Sequence, residues 1–176
     1  FLTDDASTDW GAKRAALGIE NPVNVKYMEL TNECDQYTDS GRAWYTNLAK
    51  EHIAAINAAN ANVKVMACGP TAPWGNGEWK SWVEYIAENL GTQIDAISFH
   101  PYYYGHETGT LLEYIKEIKA IIDKKIPGNN IKISLTEHGR DWGLNKNGHT
   151  SNMLAAVMQS YFLQEVSKLD YVDGAY

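Results

Sequence analysis

Short apolar runs alternate along this chain with longer stretches in which apolar residues recur every three or four positions. The runs Val25–Glu33, Val63–Cys68, Ile94–His100 and Ile131–Glu137 predict strands, and Tyr171–Tyr176 reads as one more. Between them the helical period predicts Gly41–Ala59, Trp79–Leu90, Thr110–Lys125 and Ser151–Lys168, after a short helix at Trp10–Gly18. Asn21 and Pro22 mark the turn into the first strand. Ile115, Ile118, Ile121 and Ile122 in one helix, and Leu154, Val157, Met158, Tyr161 and Phe162 in another, form stripes expected to face a sheet.

Strand and helix taken in turn predict a parallel sheet covered by helices, with right-handed crossovers. Two α/β architectures satisfy that pattern, a doubly wound sheet and a segment of a barrel. No Gly-x-Gly-x-x-Gly or Gly-x-x-x-x-Gly-Lys-Ser/Thr follows any strand, which weakens the nucleotide-binding form of the first. The longest loops, Pro70–Glu78, Pro101–Gly109 and His138–Thr150, all follow strands, where a barrel enzyme carries its chemistry. No repeat, low-complexity stretch or linker divides the chain, so residues 1–176 are expected to form a single domain.

Composition narrows the function classes. The chain has 176 residues, 44% hydrophobic and 21% charged, which suits a globular chain with a sizeable core. Its formal net charge of −7 argues against a general affinity for nucleic acid. No apolar run approaches a membrane span, and Phe1–Asp5 lacks the pattern of a signal peptide. Localisation stays open between extracellular and cytoplasmic. Cys34 and Cys68 are expected as free buried thiols, although their placement at strand ends leaves a bridge conceivable. No Cys/His spacing resembles a zinc site.

Candidate chemistry gathers at strand ends. Alternation places Tyr27, Glu29, Thr31 and Glu33 on one side of the first strand, with Asn32 pointing away unless the strand bends there. Glu137 ends the stripe Ile131, Ile133 and Leu135, so a carboxylate is expected on that face, paired or working. His100 follows Ile94, Ala96 and Ser98 in register, and Pro101 stops the strand. The alternative is that Glu33 merely begins a polar loop and that His100 is structural. Two strand-end carboxyls from distant sequence are nevertheless what a retaining glycosidase needs: one protonates the leaving oxygen and the other attacks the sugar carbon, about 5–5.5 Å away.

The stretch from Asp9 to Glu33 resembles the segment before and through the fourth barrel strand of family 51 α-L-arabinofuranosidases, which are clan A glycoside hydrolases. In that family the fourth strand ends in Asn-Glu, the sixth carries His-x-Tyr, and the seventh ends in a second Glu. Asn32-Glu33, His100-Pro101-Tyr102 and Thr136-Glu137 stand here in the same order, and Asp95–His100 adds to the similarity. The resemblance implies a partial TIM (β/α)8 barrel, strands four to eight with their helices. It implies Glu33 as acid/base, Glu137 as nucleophile, Asn32 on a sugar hydroxyl, Tyr102 holding Glu137, and His100 orienting the acid/base or touching substrate. Trp142, with Trp74 and Tyr103, would offer apolar platforms to a sugar.

The substrate so implied is an arabinofuranosyl linkage of plant-type polysaccharide, with no metal or cofactor required. Thr31 stands where the family usually has Gly, and Cys34 where a small residue or Pro is common. The first three strands are absent, so either self-association or a missing N-terminal half-barrel is expected as partner. Another clan A activity on a xylosidic or uronic linkage, and a non-catalytic scaffold or assembly subunit, are the alternatives. Carboxyls of Glu33 and Glu137 well beyond about 9.5 Å apart would exclude both hydrolytic mechanisms.

Overall fold

A computed structural model describes residues 1–36, 39–59, 62–71, 78–102, 108–139 and 153–176. Helix α1 (Asp9–Ala16) precedes strand β1 (Tyr27–Leu30), and the chain then alternates: α2 (Asp39–Ala58), β2 (Lys64–Ala67), α3 (Glu78–Leu90), β3 (Ala96–Ser98), α4 (Thr108–Lys125), β4 (Lys132–Leu135), α5 (Met153–Val166) and β5 (Val172–Ala175). The described strands make one parallel five-stranded sheet in sequence order, β1-β2-β3-β4-β5. Consecutive helices α2 to α5 pack side by side. This is the order of part of a (β/α)8 barrel, in which each helix carries the chain back to start the next parallel strand.

Register assigns each face its role. Leu30, Ala67, Ile97 and Ile133 lie in one row across the sheet, and all are buried in the core shared with the helices. From the helices come Tyr45, Ala49 and Ile53 of α2, Trp82 and Ile86 of α3, Ile115, Ile118 and Ile122 of α4, and Phe162 of α5. Each large apolar side chain so buried contributes roughly 1.5–3 kcal/mol. The alternate row, Glu29, Met66, Ala96 and Lys132, faces the other way, together with the paired Ser98 and Ser134.

The sheet curls. Lys26, just before β1, pairs with Asp173 of β5 at 2.9 Å, although the two strands lie at opposite edges. Four inter-strand steps would hold the edges of a flat sheet about 19 Å apart, far beyond the reach of these two side chains. The contact therefore requires barrel-like curvature with the polar row on the concave side.

The strands are shorter than the apolar runs predict, and the reason is local. The predicted strand Val25–Glu33 pairs only over Tyr27–Leu30, because Thr31 turns to a positive φ of 72°. Helix α1 ends at Ala16, before Gly18 at φ 85°; its N-cap Thr8 accepts from the Gly11 N–H at 3.1 Å. Arg14 of α1 is fully buried and, among the described residues, makes no ion pair with a carboxylate. Its guanidinium donates instead to the carbonyls of Phe1 and Asp4 at 2.6 Å, Ile19 at 3.1 Å and Glu20 at 3.2 Å, tying the N-terminal segment to the turn before β1.

Two expectations about faces are corrected. In α5 the predicted stripe does not face the sheet as a unit: Phe162 is buried and Met158 packs against the core, but Leu154, Val157 and Tyr161 are exposed. Ala155 and Val166 complete the buried side. The helix is apolar nearly all round, so its pattern does not single out a face, and contact with the sheet selects the Ala155–Phe162–Val166 line. In β4 the stripe Ile131, Ile133 and Leu135 belongs to the helix-facing core rather than to the face that carries Glu137. The chain leaves the ladder after Leu135, and this departure swings Glu137 back to the concave side. No described helix is long and apolar enough to cross a membrane.

Candidate active site

The site is built where the strands leave the sheet at their C-terminal ends. After β1, Thr31 and Glu33 both adopt left-handed backbone, at φ 72° and 53°. For non-glycine residues each such conformation costs about 1–2 kcal/mol and persists only when the surroundings impose it. The surroundings here are the end of β2. The Cys34 N–H donates to Cys68 Sγ at 3.0 Å, and the Thr31 hydroxyl meets Cys34 Sγ at 2.7 Å. The Asp35 carboxylate accepts from the Thr71 N–H at 2.8 Å and from the Thr71 hydroxyl. Thr31 thus occupies the backbone conformation that a glycine adopts freely, and the loop is held by its neighbours instead.

Both cysteines are buried free thiols. Hydrogen bonding with Cys68 draws the Cys34 thiol below the usual thiol range, and the same contact together with burial pushes the Cys68 thiol up. Burial also raises the Asp35 carboxyl, against the two Thr71 hydrogen bonds that favour its ionised form. These groups form a polar knot directly beneath Glu33.

His100 stands at the centre. It is 3% exposed, two residues past the end of β3, and its N–H donates to the Pro70 carbonyl at 3.3 Å. Nδ1 lies 3.1 Å from Glu33 Oε1 and 3.9 Å from Glu137 Oε2. Nε2 lies 3.1 Å from Thr136 Oγ1, and that hydroxyl reaches Glu29 Oε1 at 3.5 Å. Tyr102, paired with Gly139 in an isolated parallel bridge, donates its hydroxyl to Glu137 Oε2 at 2.7 Å. His138, beside Glu137, contacts Gln159 of α5, and burial holds its imidazole below the usual range. One oxygen of Glu33, Nδ1 of His100 and one oxygen of Glu137 all lie within 4.8 Å of one another.

Of the residues named from sequence, Glu33, His100, Tyr102 and Glu137 are brought together. Asn32 is exposed beside Glu33; its backbone carbonyl accepts from Cys34 Sγ at 3.7 Å, while its side chain stands outside the hydrogen-bonded cluster. Trp142, Trp74 and Tyr103 lie outside the described residues. Sequence reasoning missed Thr136 and Glu29 as supports of His100. Their signal was present, since Glu29 shares the alternation of Glu33, and Thr136 adjoins Glu137. It also missed Asp35 and Thr71, whose pairing joins the ends of different strands and leaves no mark on local pattern.

A parallel sheet curled like part of a barrel, with two carboxylates, a histidine and a tyrosine at the C-terminal ends of its strands, has the arrangement of a barrel glycoside hydrolase. Residues 1–116 match the α-L-arabinofuranosidase 1 domain, and the chain belongs to that family. It is 26% identical over 113 residues to an intracellular exo-α-(1→5)-L-arabinofuranosidase of Bifidobacterium longum, covering 61% of this chain and 20% of that protein. It is 26% identical over 168 residues to α-L-arabinofuranosidase 2 of Arabidopsis thaliana, covering 96% of this chain and 20% of the relative. The chain therefore spans about a fifth of the length of these relatives.

Among solved structures, a family 51 α-L-arabinofuranosidase from Bifidobacterium longum superposes with a TM-score of 0.79 at 20% identity, over 99% of this chain and 42% of that one. A family 51 arabinofuranosidase from Xanthomonas axonopodis pv. citri superposes with a TM-score of 0.72 at 19% identity, over 99% and 40%. These likenesses establish the fold as part of a TIM barrel. The chain is thus a region of that family, similar to arabinofuranosidases over part of their length.

Proposed function

We propose that this chain carries the catalytic pair of a retaining α-L-arabinofuranosidase acting on plant-type polysaccharide, with Glu137 as nucleophile and Glu33 as acid/base. The observation that supports this reading best is the proximity of the two carboxylates, whose oxygens lie within 4.8 Å across His100. That is too close for the roughly 6.5–9.5 Å an inverting enzyme needs to seat a water, and it suits direct attack by one carboxylate.

In this reading the free oxygen of Glu137 attacks the anomeric carbon while Glu33 gives its proton to the departing glycosidic oxygen. A glycosyl ester forms and the leaving alcohol is released. Glu33, now a carboxylate, takes a proton from water, whose oxygen displaces Glu137 and returns it ionised. Tyr102 donates to Oε2 of Glu137, which fixes that carboxylate and leaves its other oxygen free to attack. His100 bonds Glu33 and is itself braced by Thr136, so its role is to position the acid/base. Asn32 would bind a sugar hydroxyl and Trp142 an apolar sugar face. No cofactor enters these steps.

The described sheet offers one unpaired edge on β1 and another on β5. Unpaired edges favour further pairing, which supports completion of the barrel by an N-terminal half-barrel or by a second copy. The chemistry is tested with Glu33→Ala and Glu137→Ala on an activated aryl arabinofuranoside. Azide should rescue Glu137→Ala to the inverted glycosyl azide and Glu33→Ala to the retained one. Full activity in either variant would refute the assignment.

A further inference from the structure

The spacing of the three central ligand atoms fits a metal ion as well as a sugar. A tetrahedral Zn2+ with N and O ligands about 2.0–2.2 Å away holds neighbouring ligand atoms about 3.4 Å apart. His100 Nδ1 lies 3.1 Å from Glu33 Oε1 and 3.9 Å from Glu137 Oε2, on either side of that value. The two carboxylate oxygens lie within 4.8 Å of each other, and both side chains are half-exposed, so a small rotation closes the remaining gap. The ligand atoms come from three different strand ends, and a fourth position remains open to water.

The support behind His100 has the form a metal-binding imidazole requires. With its proton on Nε2, the ring donates to Thr136 Oγ1 at 3.1 Å, and the Thr136 hydroxyl donates on to Glu29 Oε1 at 3.5 Å. This is a carboxylate–histidine pairing relayed through a hydroxyl, and it leaves the Nδ1 lone pair facing the two carboxylates. His100 is buried and cannot swing away.

We propose that Glu33, His100 and Glu137 form an inhibitory site for a divalent transition-metal cation, Zn2+ in the first place. The bound ion holds Glu33 through Oε1 and Glu137 through Oε2 and fills the gap between the two carboxylates, so it excludes the glycoside. Metal binding stands on the geometry; its effect on hydrolysis rests on the proposed function.

The test titrates the protein with Zn2+ by calorimetry and with Co2+ by absorption. One ion per chain is expected, with the visible bands of four-coordinate cobalt and no thiolate charge-transfer band. Glu137→Gln, on a half-exposed side chain, should weaken Zn2+ at least tenfold, as should His100→Ala. Thr136→Val should weaken it about 10–100-fold through the outer shell. His52→Ala, which removes an exposed histidine of α2, should bind as the parent does. Unchanged affinity in Glu137→Gln, a thiolate charge-transfer band with Co2+, or no binding at millimolar Zn2+ would overturn the site. Chelation should restore hydrolysis. Zn2+ bound with hydrolysis unimpaired would refute the inhibition and count against the catalytic pair, whereas intact hydrolysis with no Zn2+ binding would remove the metal site alone.

Discussion

Replacing Gly69 by alanine probes the contact on which the site rests. A Cβ there would fall 1.7 Å from the Ser98 carbonyl oxygen, 2.5 Å from Ile97 Cγ2 and 2.8 Å from the Ser98 carbonyl carbon. Ordinary contact begins at 3.4 Å, so the end of β2 and β3 must part by roughly 1.7 Å. Two of the three atoms are backbone, and no rotamer change relieves them. Such a separation breaks the Gly69 N–H bond to Ser98 Oγ at 3.0 Å and strains the His100 N–H bond to Pro70 O at 3.3 Å.

Each such bond contributes about 1 kcal/mol net, and overpacking a buried site adds about 1–3 kcal/mol. The expected loss is thus about 3–5 kcal/mol, a large share of the roughly 5–15 kcal/mol that holds a domain together. His100 lies two residues past Ser98, so hydrolysis should fall as well. Urea unfolding followed by tryptophan fluorescence measures the loss, with Gly109→Ala in α4 as the control. Nothing lies within 4 Å of a Cβ at Gly109, and alanine there should be neutral or stabilise by up to about 1 kcal/mol. A Gly69→Ala protein within about 1 kcal/mol of the parent would refute this account of how the strand ends are packed.

Tyr102→Phe removes the donor 2.7 Å from Glu137 Oε2; a hydrogen bond to a charged group contributes about 1.5–3 kcal/mol, so stability should fall by no more than about 3 kcal/mol, and kcat/KM should drop about 10–100-fold if the bond also holds the nucleophile in the transition state. Equal kinetics in the variant would remove Tyr102 from the mechanism. The Lys26 ammonium beside it lowers the Asp173 carboxyl, so its stabilisation is complete above the unfolded value near pH 3.9 and is lost as pH falls through the lowered folded value. Asp173→Asn should therefore flatten the acid limb of the stability–pH curve below about pH 4 while leaving its neutral portion nearly level; an unaltered acid limb would show that the pairing between opposite sheet edges contributes nothing.

Much of the fold was legible because its signals are local. The short apolar runs and the isoleucine stripe of α4 report burial on one face, and the strand–helix alternation leaves few topologies. Exact strand ends were not legible, since the ladder stops at Leu30 through the backbone turn at Thr31, and a threonine does not announce a left-handed conformation. The face of α5 was misread for the opposite reason: a helix apolar on most sides carries no periodic signal to decide which side meets the sheet. Glu33 and Glu137 could be nominated, because a carboxylate closing an apolar strand demands an explanation in chemistry.

Taken alone, the sequence determined which side chains were available at the strand ends, in what order, and with which family they belong. Their meeting was decided by the tertiary structure. Thr31 and Glu33 bend away from β1 under bonds to Cys68 and Thr71 at the next strand, and Glu137 leaves the core-facing register of Ile133 and Leu135 to reach Tyr102. Both departures depend on partners more than thirty residues away in sequence, and strict alternation would have sent Glu137 into the helix-packed core. Strand period is a property of the local backbone, whereas the position of a carboxylate beyond the last ladder bond is set by whatever hydrogen bonds the curled sheet brings within reach.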